Sequence, residues 1–121
     1  MRIWEDSRKM KTKFTNVVVK DGFIYGLSDG ILECLTIDLG QRKWKKGRYG
    51  HGQILGVDDF LLVLAETGEV ALCELNPKEH VELARFQAID GKTWNTFALY
   101  GSLLVVRNAE EAACYELPIA N

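Results

Sequence analysis

The sequence is poor in the features that mark several protein classes. Its 121 residues hold only two prolines, two histidines and three cysteines. Cys34, Cys73 and Cys114 lie far apart and form no Cys-x-x-Cys pair. An odd count at that spacing argues against a disulfide framework and against a zinc site. No apolar run approaches the roughly 20 residues that a helix needs to cross a bilayer, so no membrane span is expected. The start, MRIWEDSRKM, lacks the apolar stretch of a signal peptide, and none is expected. Neither sign of charge dominates, the formal net charge being −2, so nothing points to nucleic acid as a partner. Also missing are a Gly-x-Ser-x-Gly elbow, a phosphate-binding glycine loop and a His-Glu-x-x-His pair. The acidic pairs Asp58-Asp59 and Glu110-Glu111 fall in turns, where carboxylates serve the backbone. Accordingly no catalytic residue, metal ligand or cofactor is expected, and the chain is read as not an enzyme.

What is present is ordinary globular composition, 47% apolar and 26% charged. A chain of this size makes one domain. The strongest signal is internal repetition. KDGFIYGL from Lys20, VDDFLLVL from Val57 and LYGSLLVV from Leu99 align at spacings of 37 and 42 residues. Each is a turn followed by a short apolar strand. GILECLTI from Gly30, GEVALCEL from Gly68 and EEAACYEL from Glu110 align in turn. Cys34, Leu72 and Cys114 then share a register, which predicts small core fillers. Ser28-Asp29-Gly30 and Glu66-Thr67-Gly68 end in glycine, as a tight hairpin requires. Asn108-Ala109-Glu110 does not, which predicts a differently built turn.

A strand before each pair is read at Thr15 to Val19, Gln53 to Val57 and Asn95 to Leu99. A strand after it is read at Arg42 to Lys45 and Val81 to Phe86. Several short strands in units near 40 residues are the pattern of a propeller array. The expected fold is all-β: β-propeller blades, about three four-stranded antiparallel units. Their bounds are 15–45, 53–86 and 95–118, preceded at 1–4 by an outer strand of another blade. That last assignment rests on Arg2-Ile3-Trp4 resembling Arg42-Lys43-Trp44. The strand order becomes d-abcd-abcd-abc. It predicts either self-association into a larger ring or an open piece of a longer protein, because three blades leave apolar faces and strand edges uncovered.

The segments Gly30-Ile31-Leu32-Glu33-Cys34-Leu35 and Gly40 to Trp44 resemble the PQQ-like β-propeller repeat of the quinoprotein-dehydrogenase-like superfamily. The chain is most similar to the C-terminal blades of a longer repeat protein. It departs from the pattern at Thr36 and Leu39, and the second unit replaces the Gly–Trp tail with Asn76-Pro77-Lys78-Glu79-His80. The resemblance implies a non-catalytic scaffold or interaction module, or alternatively a fragment of a quinone-dependent dehydrogenase. Such enzymes carry adjacent cysteines, which this chain lacks. Relatives of this kind are often exported or periplasmic, which leaves the location of this chain open. Trp44, Trp4 and Phe86 are read as rings that dock against a neighbouring blade.

Function in such scaffolds sits on loops. The loops that enter the innermost strands contain Lys13 and Asn16, then Arg48, His51 and Gln53, then Trp94 and Asn95. Asn16, Gln53 and Asn95 align. Two readings of them stand: strand-end hydrogen bonding within the fold, or a ring of amides that binds a protein, peptide or polar ligand. His51 lies between two glycines, with open backbone access. His80 is read as solvated. The basic runs Arg8, Lys9, Lys11, Lys13 and Arg42, Lys43, Lys45, Lys46, Arg48 are solvated strand ends or a rim that meets an acidic partner.

Overall fold

The structure is a computed structural model that describes residues 4–5, 8–12, 16–93, 97–108 and 110–117. Among them the chain is all-β, with eleven strands in three antiparallel sheets and no helix. The first sheet is the meander β1 (Val18–Lys20), β2 (Phe23–Ser28), β3 (Ile31–Thr36) and β4 (Arg42–Arg48). The second is β5 (Gln53–Val57), β6 (Phe60–Leu64), β7 (Glu69–Glu74) and β8 (Glu82–Gln87). The third is β9 (Ala98–Tyr100), β10 (Leu103–Arg107) and β11 (Ala112–Glu116).

Turn chemistry explains the meander. Asp29 (φ 50°) and Gly30 (φ 80°) are both left-handed, the geometry whose twist matches paired strands. The third unit has no glycine at this place. There the Asn108 carboxamide accepts from the amides of Glu110 and Glu111, both at 2.9 Å. A side chain thus builds the turn that glycine builds elsewhere.

Two apolar clusters hold the sheets together. The first joins Tyr25, Leu27, Leu32 and Cys34 of the first sheet to Leu61, Val63, Ala71 and Cys73 of the second. The other joins Leu62, Leu64 and Val70 of the second sheet to Leu104 and Val106 of the third. The second sheet is covered on both faces, which is why β6 reads as an unbroken apolar run. Each fully buried leucine contributes on the order of 1.5–3 kcal/mol.

The pairing corrects one alignment. Tyr25 faces Cys34, Leu62 faces Leu72 and Val105 faces Cys114. The register of Cys34, Leu72 and Cys114 is therefore as read. Phe23, Phe60 and Leu103 are the residues that open the second strands, however. The third unit is one residue out of step with the LYGSLLVV alignment, and such a slip exchanges the two faces. Leu104 and Val106 point into the second cluster, while Leu103 and Val105 are each 42% exposed. Cys114 lies on that outer face and is exposed, unlike Cys34 and Cys73, which are buried.

Trp44 docks as expected. Its indole N–H donates to the carbonyl of Asn76 at 2.8 Å, and its ring lies 5.4 Å from His80. Phe86 meets Tyr115 of the third sheet edge-on at 5.1 Å. It does so from a different register, because Phe86 faces Val70 whereas Trp44 faces Cys34. Trp4 lies against the first sheet, its indole N–H donating to the carbonyl of Ile37 at 2.8 Å. Nearby, the buried Glu33 accepts from Arg42 Nε at 2.6 Å and from the Met10 amide at 2.8 Å. That pairing satisfies a carboxylate that would otherwise be costly to bury.

Candidate binding groove

A groove of about 510 Å³ opens beside the connections between sheets. Arg48, Lys92 and Arg85 bring cations to it, Glu66 and Glu69 bring carboxylates, and Tyr49 and Ala65 add apolar surface. The backbone fixes these positions. The amides of Tyr49 and Gly50 donate to the carbonyl of Gly30 at 2.8 and 3.1 Å. The Glu66 amide donates to the Tyr49 carbonyl at 2.9 Å, and the Thr93 amide donates to the Glu66 carbonyl at 2.8 Å. The turn at Glu66 thus ties together the loop leaving β4 and the loop leading to β9. Such loops can vary without disturbing the sheets beneath.

Of the residues singled out from the sequence, Arg48 lines the groove. His51 is adjacent and half-buried, and its backbone N–H donates to Glu66 Oε1 at 2.9 Å. Gln53 opens β5, is buried and lies opposite Leu64. Asn16 is exposed and holds the equivalent position ahead of β1. The same count back from Ala98 arrives at Thr96 and not at Asn95. Lys13, Trp94 and Asn95 lie outside the described residues.

The groove wall hides a hydrogen-bond node that sequence reasoning missed. The Tyr49 hydroxyl donates to Glu82 Oε1 at 2.7 Å and lies 3.0 Å from His80 Nε2 and 3.6 Å from Cys73 Sγ. Arg85 donates to Glu82 at 2.6 Å and lies over the Tyr49 ring, 5.0 Å from its centroid. His80 is therefore not solvated as its turn setting implied. The 76–80 loop folds back over Trp44 and carries the imidazole inward. The one available signal was the β7–β8 hairpin, which sets Cys73 opposite Glu82.

Burial raises the Tyr49 hydroxyl well above its usual range and pushes the Cys73 thiol up to about 11. It lowers His80, favouring the neutral ring. Arg85 holds Glu82 below the usual carboxylate range. The ligating atoms of Cys73, His80 and Glu82 lie within 4.8 Å of one another, a donor set that zinc accepts. The fold assembles this group although the sequence spacing gave no hint of it. The Tyr49 hydroxyl, however, bonds all three and stands where an ion would have to sit. A thiol kept protonated at neutral pH fits the same account. The residues form a polar node that braces β8 against the loop after β4.

No family model matches the chain. No curated protein matches it either. Among solved structures, it is similar to the computationally designed Ika8 protein, at 13% identity with a TM-score of 0.65. That match covers 89% of this chain and 34% of the Ika8 chain, so this chain spans about a third of that length. It is also similar to the computationally designed Ika4 protein, at 13% identity with a TM-score of 0.63, covering 91% of this chain and 76% of that one. At such identity the likeness concerns the fold alone.

Proposed function

We propose that the chain is a non-catalytic scaffold or interaction module built of β-propeller-type blades of the PQQ-like repeat kind. It takes an acidic peptide segment in the groove between Arg48, Arg85 and Lys92. Two features support the blade reading. Each complete sheet is a four-stranded meander. Among the described residues, close backbone approach between the first two sheets is confined to β5 against β1 and β2, so the sheets converge on their first strands.

The observation that carries the binding reading is the convergence of two guanidinium groups and an ammonium on one concave, loop-built surface. Guanidinium groups take carboxylates through two parallel hydrogen bonds. Arg85 already makes such a pair with Glu82, at 3.1 and 2.6 Å, and lies 3.7 Å from Glu69. Arg48 is therefore the guanidinium that a ligand carboxylate addresses, and the number of acidic groups the groove accepts is limited.

The test is a peptide array graded from acidic to basic, followed by titration of the best ligands. Acidic peptides should bind, and Arg48→Glu should weaken them tenfold or more. An array without acidic preference, or unchanged affinity in the Arg48→Glu variant, would remove the proposal.

A further inference from the structure

The two outer sheets leave open parts of faces that the same chain buries twice internally. In the first sheet Gly26, Glu33 and Leu35 on that face are buried, with Met10 lying over Gly26, and the open part is the side of β1. Register identifies the positions. Val17, Ile54 and Phe97 are equivalent, as are Val19, Gly56 and Leu99. Ile37, Leu75 and Leu117 are equivalent too. Their amides donate to the carbonyls of Gly22, Asp59 and Ser102 at 2.9, 3.0 and 2.7 Å. In the second sheet Ile54 and Leu75 pack toward the first sheet, and in the third Phe97, Leu99 and Leu117 pack toward the second. Their counterparts in the first sheet are open, with Val17 40%, Val19 55% and Ile37 44% exposed.

The opposite face of the third sheet is open in the same way. Leu103 and Val105 correspond to Phe23 and Tyr25, which pack in the first cluster. Yet both are 42% exposed, and Tyr100 beside them is 84% exposed. One face is therefore the socket, and the other the plug, of a contact already made between the first and second sheets and again between the second and third. Side-chain volumes agree. Val18 meets Gly56 across the first contact, where a Cβ on Gly56 would come 2.8 Å from Val18 Cγ1. The equivalent pair across the outer faces is Ala98 with Val19, again one small residue against valine.

The amino-terminal segment carries the same geometry. Trp4 and Trp44 are 40 residues apart, and each indole N–H donates to a carbonyl just beyond the third strand of the next sheet, at 2.8 Å. Six residues after each tryptophan stands a left-handed residue, Met10 (φ 52°) or Gly50 (φ 71°). Each accepts from the amide two residues on, at 2.8 and 2.9 Å. Trp4 thus occupies the place that Trp44 occupies on β4. It lies against the first sheet as though a preceding sheet stood there. Among the described residues the third sheet has three strands with β11 at its edge, and none of them takes the fourth-strand place that β4 and β8 take in the other sheets.

We propose that two copies of this chain associate head to tail, the third sheet of each stacking on the first sheet of the other. Trp4 of one copy then stands beside β11 of its partner. Contacts of this kind form rings when the rotation closes. Two copies give about six sheets, within the four to eight of closed propellers, whereas three copies would exceed it. The faces involved are distinct from the groove, so this proposal stands or falls independently of the ligand.

The test is light scattering during gel filtration of the full chain at tens of micromolar, with circular dichroism to confirm folding. The wild type should show twice the 13.7 kDa chain mass. Ala98→Lys and Val19→Glu each place a charge on an exposed position of one face. Each alone should be a folded monomer. Their mixture should recover the double mass, because one of its two contacts pairs Lys with Glu and the other is unaltered. A monomeric wild type, single variants that keep the double mass, or a mixture that stays monomeric would each overturn the proposal.

Discussion

Replacing Gly68 with alanine should unfold the chain far more readily than the same change at Gly22, although both glycines are left-handed, at φ 90° and 84°. Alanine in that region costs on the order of 1 kcal/mol in backbone strain at either site. At Gly22 nothing lies within 4 Å of the added Cβ, so strain is the whole cost. At Gly68 the added atom would fall 1.8 Å from the carbonyl oxygen of Ile89. That backbone must move. The Gly68 carbonyl accepts from the amides of Ala88 and Ile89 at 3.0 and 3.2 Å, and both bonds are strained by the shift. At roughly 1 kcal/mol each, plus the strain, the loss reaches about 3 kcal/mol. Ala88 and Ile89 also belong to the cluster between the second and third sheets, so the damage reaches the core. Urea unfolding measures the difference. With a slope of about 2 kcal/mol per molar, Gly68→Ala should lower the midpoint about 1 M further than Gly22→Ala. Equal midpoints would refute the claim that this turn clasps the next connection.

Three further outcomes follow from the polar node. Tyr49→Phe should cost about 1–2 kcal/mol by leaving His80 without its hydroxyl partner and weakening the hold on Glu82, read by the same urea titration. Removing that hydroxyl should also open the space between Cys73, His80 and Glu82, so zinc should raise the melting temperature of Tyr49→Phe and leave the wild type unmoved. The pH dependence has a definite sign. The folded state lowers His80 from 6.5, so the unfolded chain binds the proton first. Stability is full above that value and falls as the pH drops through it, by at most about 1.4 kcal/mol per unit. Glu82 is likewise lowered, from 4.5, and adds a second loss below that pH. His80→Gln should abolish the upper limb and keep the lower, which unfolding titrations between pH 7.5 and 3 would resolve.

The meander was legible because turn residues and apolar alternation agree locally. Gln53 to Val57 was read to the residue, since Gly52 and Asp58 bracket it. The fourth strand of the first sheet runs on to Arg48, beyond the expected Lys45. Lys46 and Arg48 carry no apolar signal, and pairing with β3 extends the strand. The third unit slipped by one because Tyr100-Gly101-Ser102 offers two ways to seat a turn, and either leaves an apolar strand. Only the packing of Leu104 and Val106 against the second sheet decides between them. The groove was half legible. Arg48 was read from its loop, while Glu69, Arg85 and Lys92 are brought to it from three other places in the chain, β7, β8 and the connection to β9. The Tyr49 node was invisible, since Cys73, His80 and Glu82 gain meaning only when a tyrosine from the loop after β4 reaches them.

The most direct check of the stacked-sheet account is a set of methyl nuclear Overhauser contacts from the third sheet. The structure predicts cross-peaks linking Leu104 and Val106 to the Leu62, Leu64 and Val70 group, with Leu103 and Val105 silent toward that group. Cross-peaks from Leu103 and Val105 in their place would reverse the third sheet and contradict the account.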